Sequence, residues 1–423
     1  MRNKNHPFLW GAATSAHQVE GGNKLNDWWE WEALGNVKTA SGKACDHYNR
    51  FKEDFKIARD LGHNAHRFSL EWSRLEPEEG RWDMAAWGHY KEALLTLDSF
   101  DIEPILTLNH FTLPLWLYRK GGWLSESSVP CFERFAGKAV EVLGNDVNYW
   151  ITINEPLVHA FLAYSKGIWP PGKKDMALAF KVIEKELSAH AAAYPVMHKT
   201  ARDIFQKDIK VGVAHNVTKF FPCRARSIED NLAALMRHHM YNHLFIWSLI
   251  NGRLLFPGFR PRMLQSRNTL DFIGLNYYTS EHIRFGGHGV AALFGNPCYL
   301  PHHRIRFDWE NTLGWKVYPE GLYHLLKDFA RYRLPIMITE NGIPAKDDAD
   351  RVRFIEEHLS WLFKARDEGV PLIGYLYWSL LDNFEWADGY GPRFGIVEVD
   401  YASMTRTVRP SAKRMADYIK RKL

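Results

Sequence analysis

Short runs of uninterrupted apolar residues alternate along the chain with longer stretches in which apolar residues recur every three or four positions. The plainest run is Leu334-Pro335-Ile336-Met337-Ile338-Thr339, which stops at Glu340-Asn341-Gly342. A second, Tyr149-Trp150-Ile151-Thr152-Ile153, stops at Asn154-Glu155-Pro156. Runs without polar alternation suit parallel strands covered on both faces. Six more are predicted at residues 8–13, 64–70, 104–108, 209–214, 271–275 and 372–378. Between them the spacing predicts helices over 48–61, 83–99, 131–143, 175–206, 229–250 and 350–366, and one opened by Pro319. Phe51, Phe55 and Ala58 share a face of the first of these, and Gly62 and Gly144 stand as stops after the first and third. A kink is expected at Pro195.

Eight strands separated by helices predict an α/β fold, the (β/α)8 TIM barrel. No linker rich in proline, glycine or serine divides residues 1–423, so a single domain is expected. Such barrels average about 250 residues, which places the excess in long loops at the carboxyl ends of the strands. Residues 279–318, long and without period, are expected to form such a rim.

Composition narrows the partners. With 46% hydrophobic and 24% charged residues the chain is an ordinary globular one with a large core. A formal charge of +5 is spread thinly, and the basic stretch at 413–422 reads as a solvated last helix, so no nucleic-acid partner is expected. No stretch reaches the roughly 18 apolar residues of a membrane span, and the start lacks the apolar region of a signal peptide; a cytoplasmic location is expected. Cys45, Cys131, Cys223 and Cys298 form no CxxC pair, which speaks against a disulfide framework and fits a reducing compartment. His238-His239 and His302-His303 lack an HExxH context, so neither a metal site nor a cofactor is expected. Asn216-Val217-Thr218 matches a glycosylation sequon but abuts a buried strand, so it is set aside.

The chemistry is concentrated at the strand ends, which supply Gln18, Arg67, His110, Asn154, Glu155, Asn276, Tyr278, Glu340 and Trp378. In a barrel these line one mouth. Two carboxyls among neutral hydrogen-bonding groups and an aromatic plate suit the cleavage of a glycosidic bond. One acid protonates the leaving oxygen, and one carboxylate attacks or stabilises the oxocarbenium centre. Singly, each residue also has a plainer role: an ion pair for Glu340 and Arg67, a turn for Asn154, a core histidine for His110.

Several segments together resemble glycoside hydrolase family 1, the retaining β-glucosidases and β-galactosidases. They are Phe8-Leu9-Trp10-Gly11-Ala12-Ala13-Thr14-Ser15 with Gln18, Arg67-Phe68-Ser69, Thr152-Ile153-Asn154-Glu155-Pro156, Asn276-Tyr277-Tyr278, Ile338-Thr339-Glu340-Asn341-Gly342 and Trp378-Ser379-Leu380-Leu381-Asp382-Asn383-Phe384-Glu385-Trp386. The resemblance runs along essentially the whole chain. It implies an exo-acting enzyme for terminal β-D-glucosyl and β-D-galactosyl residues of small glycosides or oligosaccharides. Glu340 would be the nucleophile and Glu155 the acid/base, with Arg67, Asn276 and Tyr278 beside them. Asn154 would bind the 2-hydroxyl. Gln18, His110, Glu385 and Trp386 would bind the other glycone hydroxyls over a Trp378 plate, with Phe394 near the 6-hydroxyl and Trp315 walling the aglycone side. Glu385 would repel a 6-phosphate. His110-Phe111-Thr112 departs from the tryptophan and aspartate common in bacterial relatives. The other readings are a sugar-binding barrel without catalysis, against which both glutamates stand, and an aldolase-like barrel, for which no strand-end lysine or metal cluster is found. The sequence leaves the oligomeric state open.

Overall fold

The structure, a computed structural model, describes residues 8–256, 260–286, 294–300 and 309–422. Eight parallel strands close on themselves: β1 (Leu9–Ala13), β2 (Ala65–Ser69), β3 (Glu103–Asn109), β4 (Tyr149–Asn154), β5 (Lys210–Pro222), β6 (Phe272–Arg284), β7 (Ile336–Asn341) and β8 (Leu372–Trp378). Each pairs with the next, β8 pairs with β1, and the β6–β7 pairing completes the ring. This is the (β/α)8 barrel the apolar runs predict.

One residue from each strand fills the barrel's interior layer: Leu9, Ala65, Ile105, Ile151, Ala214, Phe272, Met337 and Leu376. A larger cluster packs the outer strand faces against the helices. Side chains alternate along a strand, so counting by twos from this layer names the residues that face up the barrel. From Ala65 the count reaches Arg67; from Ile105, Thr107; from Ala214, Asn216; from Phe272, Asn276 and Tyr278; from Leu376, Trp378. Strict alternation from Ile151 and Met337 would turn Asn154 and Glu340 outward. At those two places the ladder is irregular, with register shifts between Ile151 and Asn154 and between Ile338 and Glu340. Such irregularities re-aim a side chain.

Three expectations need correction. Strands β5 and β6 run 13 residues each, well past the ends at 214 and 275, because they go on pairing beyond the rim as far as Pro222 and Ile283. The helix expected over 229–250 is three pieces: Ile228–His238, a π-helical turn His239–His243, and Leu244–Asn251. The third concerns the cysteines, since Cys223 and Cys298 are disulfide-bonded. The amide of Cys223 bonds the carbonyl of Ile283 at 2.7 Å, and that of Cys298 bonds the carbonyl of His282 at 2.8 Å. The two thus flank the end of β6, a neighbourhood that a separation of 75 residues conceals. Disulfides belong mainly to oxidising compartments, so the cysteine argument for a reducing, cytoplasmic setting is lost.

The helix Met176–Phe205 runs unbroken through Pro195, capped by the Asp175 side chain. The basic last stretch forms the helix Pro410–Lys420, which buries Ala412, Met415, Ala416 and Ile419. Among the described residues no helix is long and apolar enough to cross a membrane. His302 and His303 lie outside the described residues.

Candidate active site

At the carboxyl end of the barrel the strand-end residues form one hydrogen-bonded network. Arg67, wholly buried, donates from Nη1 to Glu340 Oε1 at 2.5 Å and from Nη2 to Asn154 Oδ1 at 2.7 Å. Its Nε is held by Thr107 Oγ1 at 3.0 Å, so the guanidinium plane is fixed. Tyr278 donates its hydroxyl to the other oxygen, Glu340 Oε2, at 2.5 Å. Asn276 joins the halves. Its Nδ2 donates to Glu155 Oε1 at 2.9 Å and Asn154 Oδ1 at 3.2 Å, while its Oδ1 accepts from Thr339 Oγ1 at 2.6 Å.

Glu155 stands between β4 and the short helix Pro156–Ala160, with its backbone in the left-handed region at φ 46°. Phe111 (φ 75°) and Trp386 (φ 51°) share that conformation. A non-glycine residue held there costs about 1–3 kcal/mol and occurs preferentially at functional sites.

The glycone-side residues predicted from sequence sit on the same mouth. Gln18 Nε2 donates to Asn383 Oδ1, the Phe384 carbonyl and Glu385 Oε2 at 3.0, 2.9 and 3.2 Å, and its Oε1 accepts from Ser15 at 2.6 Å. His110 stacks on Trp378 with ring centroids 5.7 Å apart and on Trp386 at 6.2 Å. Asn154 Oδ1 is taken by Arg67 and Asn276, so its Nδ2 donates to His110 Nε2 at 3.2 Å, and the ring proton belongs on Nδ1. Trp386 itself is packed among His17, Trp28, Phe111 and Trp169. Phe394 packs with Trp378, and Trp315, half-buried, lies 5.8 Å from Tyr278 and 6.2 Å from Phe394.

Three carboxyls share this buried space with one touching guanidinium. Burial, reinforced by the charge of Glu340, pushes Glu155 up to about 7 against the pull of the Asn216 and Asn276 hydrogen bonds. Burial likewise raises Glu340, opposed by Arg67 and the Tyr278 hydroxyl. Glu385 is driven well above the ordinary carboxyl range by burial and then by Glu340, Asp388 and Glu155. His110 is driven well below the usual imidazole value by burial and by Arg67, and so is neutral. Of the three, Glu340 is the carboxyl in direct contact with that guanidinium.

Sequence reasoning missed Asn216 and Tyr241. Asn216 Nδ2 donates to Glu155 Oε1 at 2.9 Å, and Tyr241 donates its hydroxyl to Asn216 Oδ1 at 2.8 Å. The alternation Ala214, Asn216 was the available signal, lost because the strand was ended too early.

Among the described residues one other cluster has metal-ligand residue types. His238 Nε2 and His243 Nε2 lie 2.8 and 2.7 Å from Asp328 Oδ2 and 3.2 Å from each other. Asn242, however, accepts from the Thr218 amide through Oδ1 and donates through Nδ2 to the Thr218 carbonyl and to His238 Nδ1. The His238 proton is therefore on Nε2, aimed at Asp328, and the lone pair a metal needs faces away. With Arg331 also paired to Asp328, this is a hydrogen-bonded node on the outer helices.

Comparison with known proteins decides the family: the profile of glycosyl hydrolase family 1 matches residues 3–423. The chain belongs to glycosyl hydrolase family 1. This family 1 glycosidase is 35% identical to beta-glucosidase A of Thermotoga maritima over 98% of this chain and 97% of that one. Its fold superposes on a beta-glycosidase from Pyrococcus horikoshii with a TM-score of 0.91 at 38% identity, covering 99% of this chain and 95% of the other. It also matches the beta-glucosidase from Thermotoga maritima in complex with galacto-hydroximolactam at a TM-score of 0.88 and 33% identity, covering 99% and 98%.

Proposed function

We propose that residues 1–423 act as one catalytic unit, a retaining exo-β-glycosidase that removes terminal β-D-glucosyl, and also β-D-galactosyl, residues by double displacement. The observation that carries this reading is the unequal setting of the two glutamates: Glu340 is clamped by Arg67 and Tyr278, while Glu155 touches only neutral amides and is pushed up to about 7. The ionised carboxylate is the nucleophile and the protonated one the acid.

In the first step a Glu340 oxygen attacks the anomeric carbon as the glycosidic C–O bond breaks, and Glu155 gives its proton to the departing oxygen. Esterified Glu340 has lost its charge, so the share of the rise in Glu155 that its repulsion added to burial is relieved. Glu155, now a carboxylate, takes a proton from water as the water oxygen displaces Glu340. Asn154, fixed by Arg67, is placed for the 2-hydroxyl, and Gln18, His110 and Glu385 for the others, with Trp378 as the plate. Trp386, held in its aromatic cluster, completes that pocket; Phe394 backs Trp378, and Trp315 is placed on the aglycone side. Glu385 supplies no cation for a phosphate, so phosphorylated sugars are disfavoured.

A 2-deoxy-2-fluoro-β-glucoside with a good leaving group slows both steps, the second more, and traps the ester. Mass spectrometry of a proteolytic digest is expected to find the added sugar on the peptide bearing Glu340. An adduct elsewhere, or inactivation without one, would remove Glu340 from the role.

A further inference from the structure

Glu155 Oε1 accepts from two amides at once, Asn216 Nδ2 and Asn276 Nδ2, each at 2.9 Å. A carboxyl oxygen that carries the proton has little room for two donors, whereas a carbonyl oxygen has two lone pairs. The acidic hydrogen therefore belongs on Oε2, the oxygen the two amides leave alone.

This assignment holds only if Asn216 presents its NH2 rather than its carbonyl. The amide could turn over, and Tyr241 biases it against doing so, because its hydroxyl, a better donor than acceptor, donates to Asn216 Oδ1 at 2.8 Å. Tyr241 in turn belongs to the π-helical turn His239–His243, which is fastened to three of four consecutive residues of β5. His215 Nε2 sits 3.0 Å from the carbonyls of both Tyr241 and Asn242. Asn216 takes the Tyr241 hydroxyl, and Thr218 exchanges two backbone bonds with the Asn242 side chain at 3.0 and 2.9 Å. Inserted turns of this kind recur at functional sites.

We infer that the π-helical turn clamps β5 so that Tyr241 orients Asn216, and Asn216 fixes which oxygen of Glu155 carries the proton. This rests on Glu155 being the acid. Asn216 and Tyr241 are positioning residues: they act on the sugar through Glu155.

The test compares kcat/KM on an alkyl β-glucoside, whose leaving group must be protonated, with that on 2,4-dinitrophenyl β-glucoside, whose leaving group needs no proton. Asn216→Ala is expected to lose about tenfold or more on the alkyl substrate and less than about threefold on the dinitrophenyl one. The nearly isosteric Tyr241→Phe is expected to lean the same way by a smaller factor. The double variant should be no worse than Asn216→Ala alone, since Tyr241 acts through that residue. The alkaline limb of Asn216→Ala should move to higher pH, because a donor favouring the carboxylate is gone. Equal losses on both substrates, a larger loss on the dinitrophenyl one, or no loss would overturn the inference. A wild-type enzyme insensitive to leaving group on both sides of neutrality would instead remove Glu155 as the acid, a distinct failure.

Discussion

Glu155 shows how one side chain ties reactivity to stability. Its carboxyl is raised to about 7 from an ordinary 4.5, chiefly by burial. On a substrate with a poor leaving group, kcat/KM should therefore fall as pH rises through about 7, as the acid loses its proton. The linkage has a definite sign. In the unfolded chain this group ionises near 4.5, in the native chain near 7, so the native state is penalised as pH rises between these values. Glu155→Gln keeps an oxygen for the two asparagine donors and carries no charge. It is expected to be almost inactive on such substrates, and its stability advantage over wild type should grow from pH 4 to pH 8 by on the order of 3 kcal/mol. Thermal melts at the two pH values check this; an advantage that does not grow would mean that Glu155 is not held protonated.

At the level of strands and turns, the motif glycine of β7 has a steric cause. A Cβ on Gly342 would come 1.8 Å from the carbonyl oxygen of Trp378, so the end of β7 and the end of β8 approach backbone to backbone. Its φ is not in the left-handed region, so close approach alone demands glycine. Gly342→Ala is expected to cost about 1–3 kcal/mol of stability and to lower kcat by displacing Trp378 and Glu340 together. Denaturant unfolding and steady-state kinetics measure the two, and a variant matching wild type in both would contradict the contact. The strands themselves were legible in the sequence because apolar runs over 149–153 and 334–339 have no polar alternation. What they do past the rim was not. The continuation of β5 to Pro222 depends on pairing with β6, and the π-helical turn depends on a docking partner. Neither leaves a period in the sequence, and that is why Asn216 passed as part of a sequon.

Across the whole molecule, the barrel converts eight separate strand ends into one site. Arg67, Asn276, Tyr278 and Trp378 were readable as mouth residues because simple alternation puts them there. Asn154 and Glu340 were readable as the polar stops of apolar runs, while the register shifts that turn them inward are decided between strands. The Cys223–Cys298 bridge was hidden for the same reason: both cysteines flank β6, a relation of the folded chain alone. The central claim is that Glu340 attacks the face of the anomeric carbon opposite the leaving group while Glu155 serves the leaving-group face, first as acid and then as base. The first-formed product anomer, followed by NMR on an aryl β-glucoside with wild type and Glu340→Gly, tests it most directly. The account expects β-glucose first from wild type and near silence from the variant; α-glucose first from wild type would contradict it.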